Sequence, residues 1–141
     1  SGAEMLARID AALALARQMG EYKAFRAAIY ERSAEFFCRL ICDARETVPL
    51  TLALLSLAGD DLERGVTYAA NFGRDADTLG SMVGSIIGAL VGIDGVKPAW
   101  LHKVRQVAAV DQEALAERLA EVAVAKYRAE LAAQADLAAI C

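Results

Sequence analysis

NFGRDADTLGSMVGSIIGALVG, residues 71–92, is the stretch on which the reading of this chain turns. Beyond Thr78 it is almost wholly apolar, and Gly80, Gly84, Gly88 and Gly92 recur at every fourth position. That interval places the first three on one side of a helix. The spacing predicts a helix from about Asp77 to Val91 that stops at Gly92. Each interior glycine costs a helix about 1 kcal/mol relative to alanine. Something is therefore expected to pack closely against the bare face. The apolar run Leu79–Ile93 is too short and too rich in glycine to span a bilayer, so packing against other helices of the fold is the reading, and no membrane span is expected.

The rest of the chain is helical in the same sense, with no period-2 stretch. A first helix covers Ala3–Met19 and stops at Gly20. A second covers 22–43, because Tyr22, Phe25, Ile29, Phe36, Phe37, Leu40 and Ile41 share one broad face. A third starts around Pro49, where a first-turn proline needs no N–H, and ends near Gly59. Asp60 caps a fourth, which closes at Gly73. Pro98 opens a sixth carrying Trp100, Leu101 and Val104. Asp111 caps the last, which turns Leu115, Leu119 and Val122 to the core. The expectation is all-α: one domain over residues 1–141, an orthogonal bundle of about seven helices.

Composition narrows the function. The 141 residues are 57% hydrophobic and 24% charged, far from disordered chains. That apolar share is high for an isolated domain of this size, so a missing partner half covering exposed surface is a natural reading. A net charge of −4 excludes the basic footprint of a sequence-independent nucleic-acid binder. Three cysteines, two of them one helical turn apart at Cys38 and Cys42, suit neither a disulfide nor a CxxC zinc site. They read as packing thiols in a cytoplasmic protein.

Asp75, Asp77 and Thr78 stand together in the turn that opens the glycine-striped helix. Two carboxylates and a hydroxyl are hard oxygen donors, the chemistry that Mg²⁺ and Mn²⁺ prefer. An aspartate before a helix is equally an ordinary cap, and both readings stand at this point. Glu46 lies at a helix start, where the dipole alone favours an acid, or beside a substrate. Arg74 answers a phosphate or pairs with Asp75. His102, the single histidine, has no partner triad and reads as a helix-surface residue. Tyr68 and Phe72 read as packing residues, although both have faces that an adenine stacks on.

Residues 71–78 resemble the C-terminal signature of the ADP-ribosylglycohydrolase family, an Asn-Leu-Gly-Gly-Asp-x-Asp-Thr run followed by a helix of small residues. Asn71, Gly73, Asp75, Asp77 and Thr78 match it, while Arg74 stands where the family more often has a second glycine. The likeness extends upstream to Glu46-Thr47-Val48-Pro49 and downstream to Gly92 and Pro98-Ala99-Trp100, covering about residues 44–102. The resemblance implies a hydrolase that removes ADP-ribose from a protein side chain or small-molecule conjugate, using two Mg²⁺ ions, with Mn²⁺ as an alternative. It implies Asp75, Asp77 and Thr78 as metal ligands and places Glu46 and Arg74 near the substrate. The family's other acidic segments have no counterpart in residues 1–70. The chain is therefore expected to be the C-terminal portion of the full family domain, with the N-terminal half on the same or a separate polypeptide, or with a second copy filling the gap as a homo-oligomer. Two other functions fit less well: a metal-dependent glycosidase acting on a nucleoside-like N-glycoside, and a helical interaction module without catalysis.

Overall fold

A computed structural model describes residues 2–140, and the side chains of residues 2–134. Cys141, the third thiol, lies outside the described residues. The described chain is all-α, as expected, with eight α-helices and one short 3₁₀ turn. In order these are α1 (Gly2–Met19), α2 (Tyr22–Glu31), α3 (Ser33–Phe36), α4 (Ala44–Ala58), α5 (Leu62–Phe72), α6 (Ala76–Val91), the turn Ile93–Gly95, α7 (Pro98–Val107) and α8 (Gln112–Ile140). The chain divides into two compact units, one up to Lys97 and one from Pro98.

In the first unit α4 is the shared element, packing against α1, α5 and α6, while α5 and α6 lie against one another. The core gathers Phe25 and Ile29 from α2, Leu50 and Leu54 from α4, Phe72 from α5 and Leu79, Val83 and Ile87 from α6. α5 and α6 approach closely at Gly65. A Cβ there would stand 2.5 Å from Ile87 Cδ1 and 2.9 Å from Val83 Cγ1, so only glycine leaves room for both side chains. The glycine stripe of α6 itself behaves otherwise. A Cβ at Gly80 or Gly88 would meet nothing within 4 Å, and one at Gly84 would meet Val66 Cγ2 at 3.4 Å. The close packing expected along that whole face is thus confined to Gly84, and Ile86 and Leu90 on the same helix are exposed.

Three boundaries differ from expectation, the first two because tertiary contacts outweigh local propensity. The long helix over 22–43 is broken. Arg32 ends α2, Phe37 is extended, and residues 37–43 form a loop. The loop is held because Phe37 packs edge-on to Tyr30, with centroids 5.1 Å apart, and because the Cys38 N–H bonds to the Glu46 carboxylate at 2.6 Å. Leu40 and Ile41 are left exposed, and Cys42 with them. α4 begins one and a half turns before Pro49. Asp43 caps it by accepting from the Arg45 N–H, and Pro49 lies buried inside, where it forgoes one helical hydrogen bond. Burial of Thr47, Leu50 and Leu54 on the core side offsets that loss. α5 is capped by Asp61, not Asp60, with Oδ1 accepting from Arg64 N–H at 2.9 Å.

The second unit contains α7 and α8. Asp111 caps α8 as expected, accepting from the Glu113 and Ala114 N–H groups at 3.1 Å, and Arg105 forks onto Glu113 at 2.6 and 2.9 Å. Leu115, Leu119 and Val122 do not enter a core; all three are exposed. None of the described side chains of α8 is buried.

Candidate metal-binding turn

The α5–α6 connection is built by three consecutive residues. α5 ends at Phe72, which is fully buried against Phe25 and Tyr30. The Phe72 carbonyl, one of the orphan acceptors at a helix end, takes two hydrogen bonds from α2: Arg26 Nε at 2.9 Å and Tyr30 Oη at 2.9 Å. Gly73 follows with φ +92° and ψ −167°, a region that is essentially glycine-only. A Cβ at Gly73 would collide with the Tyr30 hydroxyl. Arg74 then has φ +59°, and among the described residues it is the one non-glycine with positive φ. That conformation costs an L-residue about 1–2 kcal/mol.

The Arg74 side chain explains how the cost is met. Its Nε and Nη2 bond to the two oxygens of Glu46 at 2.7 Å each, and Nη2 also donates to the Cys38 carbonyl at 2.8 Å. The guanidinium lies over the Phe37 ring, 4.5 Å from its centroid. A forked, charge-assisted pair of this kind is among the stronger polar contacts in a protein, and the cation–π contact adds to it. Hydrogen bonding to Glu46 holds the guanidinium above its ordinary pKa. Glu46 is 1% exposed and sits in the first turn of α4, where the helix dipole supports its charge. Arg74 bonds both of its oxygens, and the Cys38 N–H adds a second bond to Oε2. The two residues expected beside a substrate are therefore joined to each other, and Arg74 pairs with Glu46, not with Asp75.

Asp75 comes next, at the N-cap position of α6. Its residue is 7% exposed, yet its side chain makes no cap hydrogen bond, and Oδ2 is buried without a partner. The comparison within the molecule is informative. Among the described residues, Asp43, Asp61 and Asp111 also begin helices, and each accepts from backbone N–H groups of the following turn. Asp75 forgoes a contact worth about 1 kcal/mol. It also leaves a buried oxygen unsatisfied, which costs about 1–3 kcal/mol or more for a charged group. The capping reading of Asp75 is not what the geometry shows. Asp77 is exposed in the first turn of α6, and Thr78 beside it is half-buried.

This donor set suits a hard cation: carboxylate oxygens and a hydroxyl, with one buried oxygen lacking any other partner. It is not a complete cage, because among the described residues no three His, Cys, Asp or Glu side chains converge. The family model for ADP-ribosylglycohydrolase matches residues 2–129. The chain belongs to this family. An Escherichia coli (strain K12) relative, the uncharacterized protein YegU, is 39% identical over 83 residues, which make up 59% of this chain and 23% of that protein. The chain thus matches less than a quarter of that relative's length. No solved structure matches it. Among the described residues no helix is long and apolar enough to cross a membrane.

For this ADP-ribosylglycohydrolase family member, the Asp75-x-Asp77-Thr78 run was visible in sequence because its donors are neighbours in the chain. The Glu46–Arg74 pair was not, because 28 positions separate its members. The one cue was the arginine at a place where the family pattern more often has glycine. Arg26 and Tyr30, which fix the end of α5, gave no sign in sequence of that role. Tyr68 stacks on Tyr22 at 4.2 Å with rings 5° from parallel, and Phe72 is buried, so both are packing residues here. His102 is exposed and Trp100 half-buried.

Proposed function

We propose that this chain supplies one side of a divalent-metal site in a glycohydrolase that releases ADP-ribose from a protein side chain or a small-molecule conjugate. The single observation that carries the reading is the buried, unpartnered Oδ2 of Asp75 at a helix start, the position at which Asp43, Asp61 and Asp111 cap. Asp75, Asp77 and Thr78 would hold Mg²⁺, or Mn²⁺ in its place, and two ions are expected, as in other metal-assisted hydrolyses. When bound, the metal supplies Lewis acidity and a template for substrate oxygens. What the chain's own residues do is hold the donors: Arg26 and Tyr30 anchor the end of α5, and α6 presents Asp77 and Thr78 from its first turn. The positive end of α6 also favours substrate phosphates nearby.

Two carboxylates and one hydroxyl leave about half of one octahedral shell, and all of a second, unfilled. The remaining acids, the general base among them, are proposed to come from further sequence on the same or another polypeptide, or from a second copy. The isolated chain is expected to bind Mg²⁺ weakly and to hydrolyse no substrate. A cytoplasmic setting, which keeps Cys38 and Cys42 reduced, fits this reading.

Thermal melting of Asp75→Asn and wild type, in chelator and in millimolar Mg²⁺ or Mn²⁺, tests it. In chelator the variant should melt at or above wild type, because a buried unpaired charge is gone. Cation should raise the wild-type midpoint, since a ligand that binds only the folded state stabilises it. It should leave Asp75→Asn unmoved. A wild-type chain indifferent to both cations, or an equal rise in the variant, would remove the assignment.

A further inference from the structure

Arg74 is the one non-glycine with positive φ among the described residues. A glycine would accept φ +59° freely, whereas arginine adopts it against steric cost and is anchored at four places: both oxygens of Glu46, the Cys38 carbonyl and the Phe37 ring. Those anchors lie on the 37–43 loop and the first turn of α4. The backbone they fix runs directly into Asp75. Gly73, on the other side, is held by the Phe72 carbonyl contacts to Arg26 and Tyr30. The turn is therefore pinned from α2 on one flank and from α4 on the other, with the buried unpartnered carboxylate immediately after.

We propose that Arg74 is a positioning residue: clamped to Glu46, it fixes the 73–75 turn so that the Asp75 carboxylate is held ready for a cation instead of rotating to cap α6. The inference rests on the metal reading above, but it concerns this chain's own geometry and makes a claim that glycine at this position would not. Removing the clamp frees Asp75 to do what Asp43, Asp61 and Asp111 do, which is to accept from the N–H groups of the next turn.

The test uses the full chain and four variants: Arg74→Gly, which keeps the φ without strain; Glu46→Gln, which weakens the same clamp from the other side; their double variant; and Asp75→Asn as the ligand control. Two readouts are taken well below each melting temperature. The first, free of any metal, is amide hydrogen exchange across residues 74–78. Arg74→Gly should exchange about tenfold faster at 74–76 and more slowly at 77 and 78, whose amides gain the Asp75 cap, while amides of the α6 interior stay unchanged. The second is Mn²⁺ affinity by titration calorimetry or electron paramagnetic resonance. Residues that orient metal ligands typically contribute about ten- to a hundredfold in affinity, and a loss of that order is expected for Arg74→Gly and for Glu46→Gln. The double variant should lose no more than the worse single one, because both break one clamp.

If exchange at 74–78 and Mn²⁺ affinity in Arg74→Gly match wild type while Asp75→Asn loses Mn²⁺, the positioning role is overturned and the metal reading survives. If Asp75→Asn keeps full Mn²⁺ affinity, the metal reading falls, and the exchange readout still decides whether Arg74 fixes the turn. Independent losses that add in the double variant would also overturn the proposal, since two separate effects would then be acting.

Discussion

Gly73→Ala tests the geometry of the turn most directly, and its size follows from two terms. The residue has φ +92° and ψ −167°, where a Cβ costs about 1–3 kcal/mol. The new methyl would also collide with the Tyr30 hydroxyl, which donates to the Phe72 carbonyl at 2.9 Å. Displacing that hydroxyl forfeits a hydrogen bond with a net value of about 1 kcal/mol. The total is about 2–4 kcal/mol. For a chain near this size each kcal/mol moves the midpoint by about 4 °C, so a fall of about 8–16 °C is expected.

The two terms separate in a double-mutant cycle with Tyr30→Phe. Phenylalanine keeps the aromatic contacts with Phe37 and Phe72 and the Arg26 guanidinium over the ring, but it removes the atom that the methyl would strike. In that background Gly73→Ala should cost only its backbone term, giving a coupling of about 1 kcal/mol between the sites. Chemical denaturation of the four proteins supplies the numbers. A Gly73→Ala midpoint within error of wild type would refute the reasoning, because the turn would then relax at no cost. A full loss with zero coupling would leave the backbone argument and remove the collision.

Other expectations concern different parts of the molecule. Gly84→Val should lose about 1–3 kcal/mol by overpacking against Val66, with circular dichroism showing helicity retained. Gly80→Ala should instead raise the melting temperature of the isolated chain by relieving up to about 1 kcal/mol of glycine cost in α6, because nothing lies within 4 Å of its Cβ; a fall would mean that this face is covered. Asp43 is held down at about 2 by its hydrogen bonds from the Arg45 side chain and amide, against an ordinary value of 3.8. A depressed carboxyl contributes stability that is present above its unfolded pKa and lost as pH falls through its folded one, so Asp43→Asn should flatten the acid limb of stability between about pH 4 and pH 2 while keeping the cap. An acid limb identical to wild type would exclude Asp43 as its source.

What could be read in the chain and what could not follow from distance along it. Gly73 and Gly92 marked the end of α5 and the end of α6 because a helix stop is a local event. Asp75, Asp77 and Thr78 stood out as candidates for the same reason. The 37–43 loop escaped notice because its causes lie elsewhere: Phe37 against Tyr30 and Arg74, and the Cys38 N–H on Glu46. A 3.6-residue pattern through Phe36, Phe37, Leu40 and Ile41 cannot report a carboxylate eight positions on that competes for a backbone donor. Pro49 misled similarly, since proline marks a first turn only when no larger burial draws the helix start earlier. The exposure of Leu115, Leu119 and Val122 shows the converse, that apolar residues on a helix do not by themselves specify a neighbour.

The aspartates bring the local and the distant together. Four stand at helix starts among the described residues, where an aspartate ordinarily caps. Three behave so, which shows that the chain's capping chemistry is ordinary and that an aspartate free to bond the next turn does it. Asp75 does not, although its Oδ2 is buried and gains no other partner. A fold keeps such a loss where the surrounding structure overrides local preference, and here the surrounding structure is specific: two donors on the Phe72 carbonyl, a glycine that admits no side chain, and an arginine held in a left-handed turn by a buried acid 28 residues away. Each of these raises the cost of letting the carboxylate swing onto α6. An atom withheld from its cheapest partner by so many contacts is open to another, and the metal site proposed above gives a carboxylate beside a second carboxylate and a hydroxyl that partner in a hard cation.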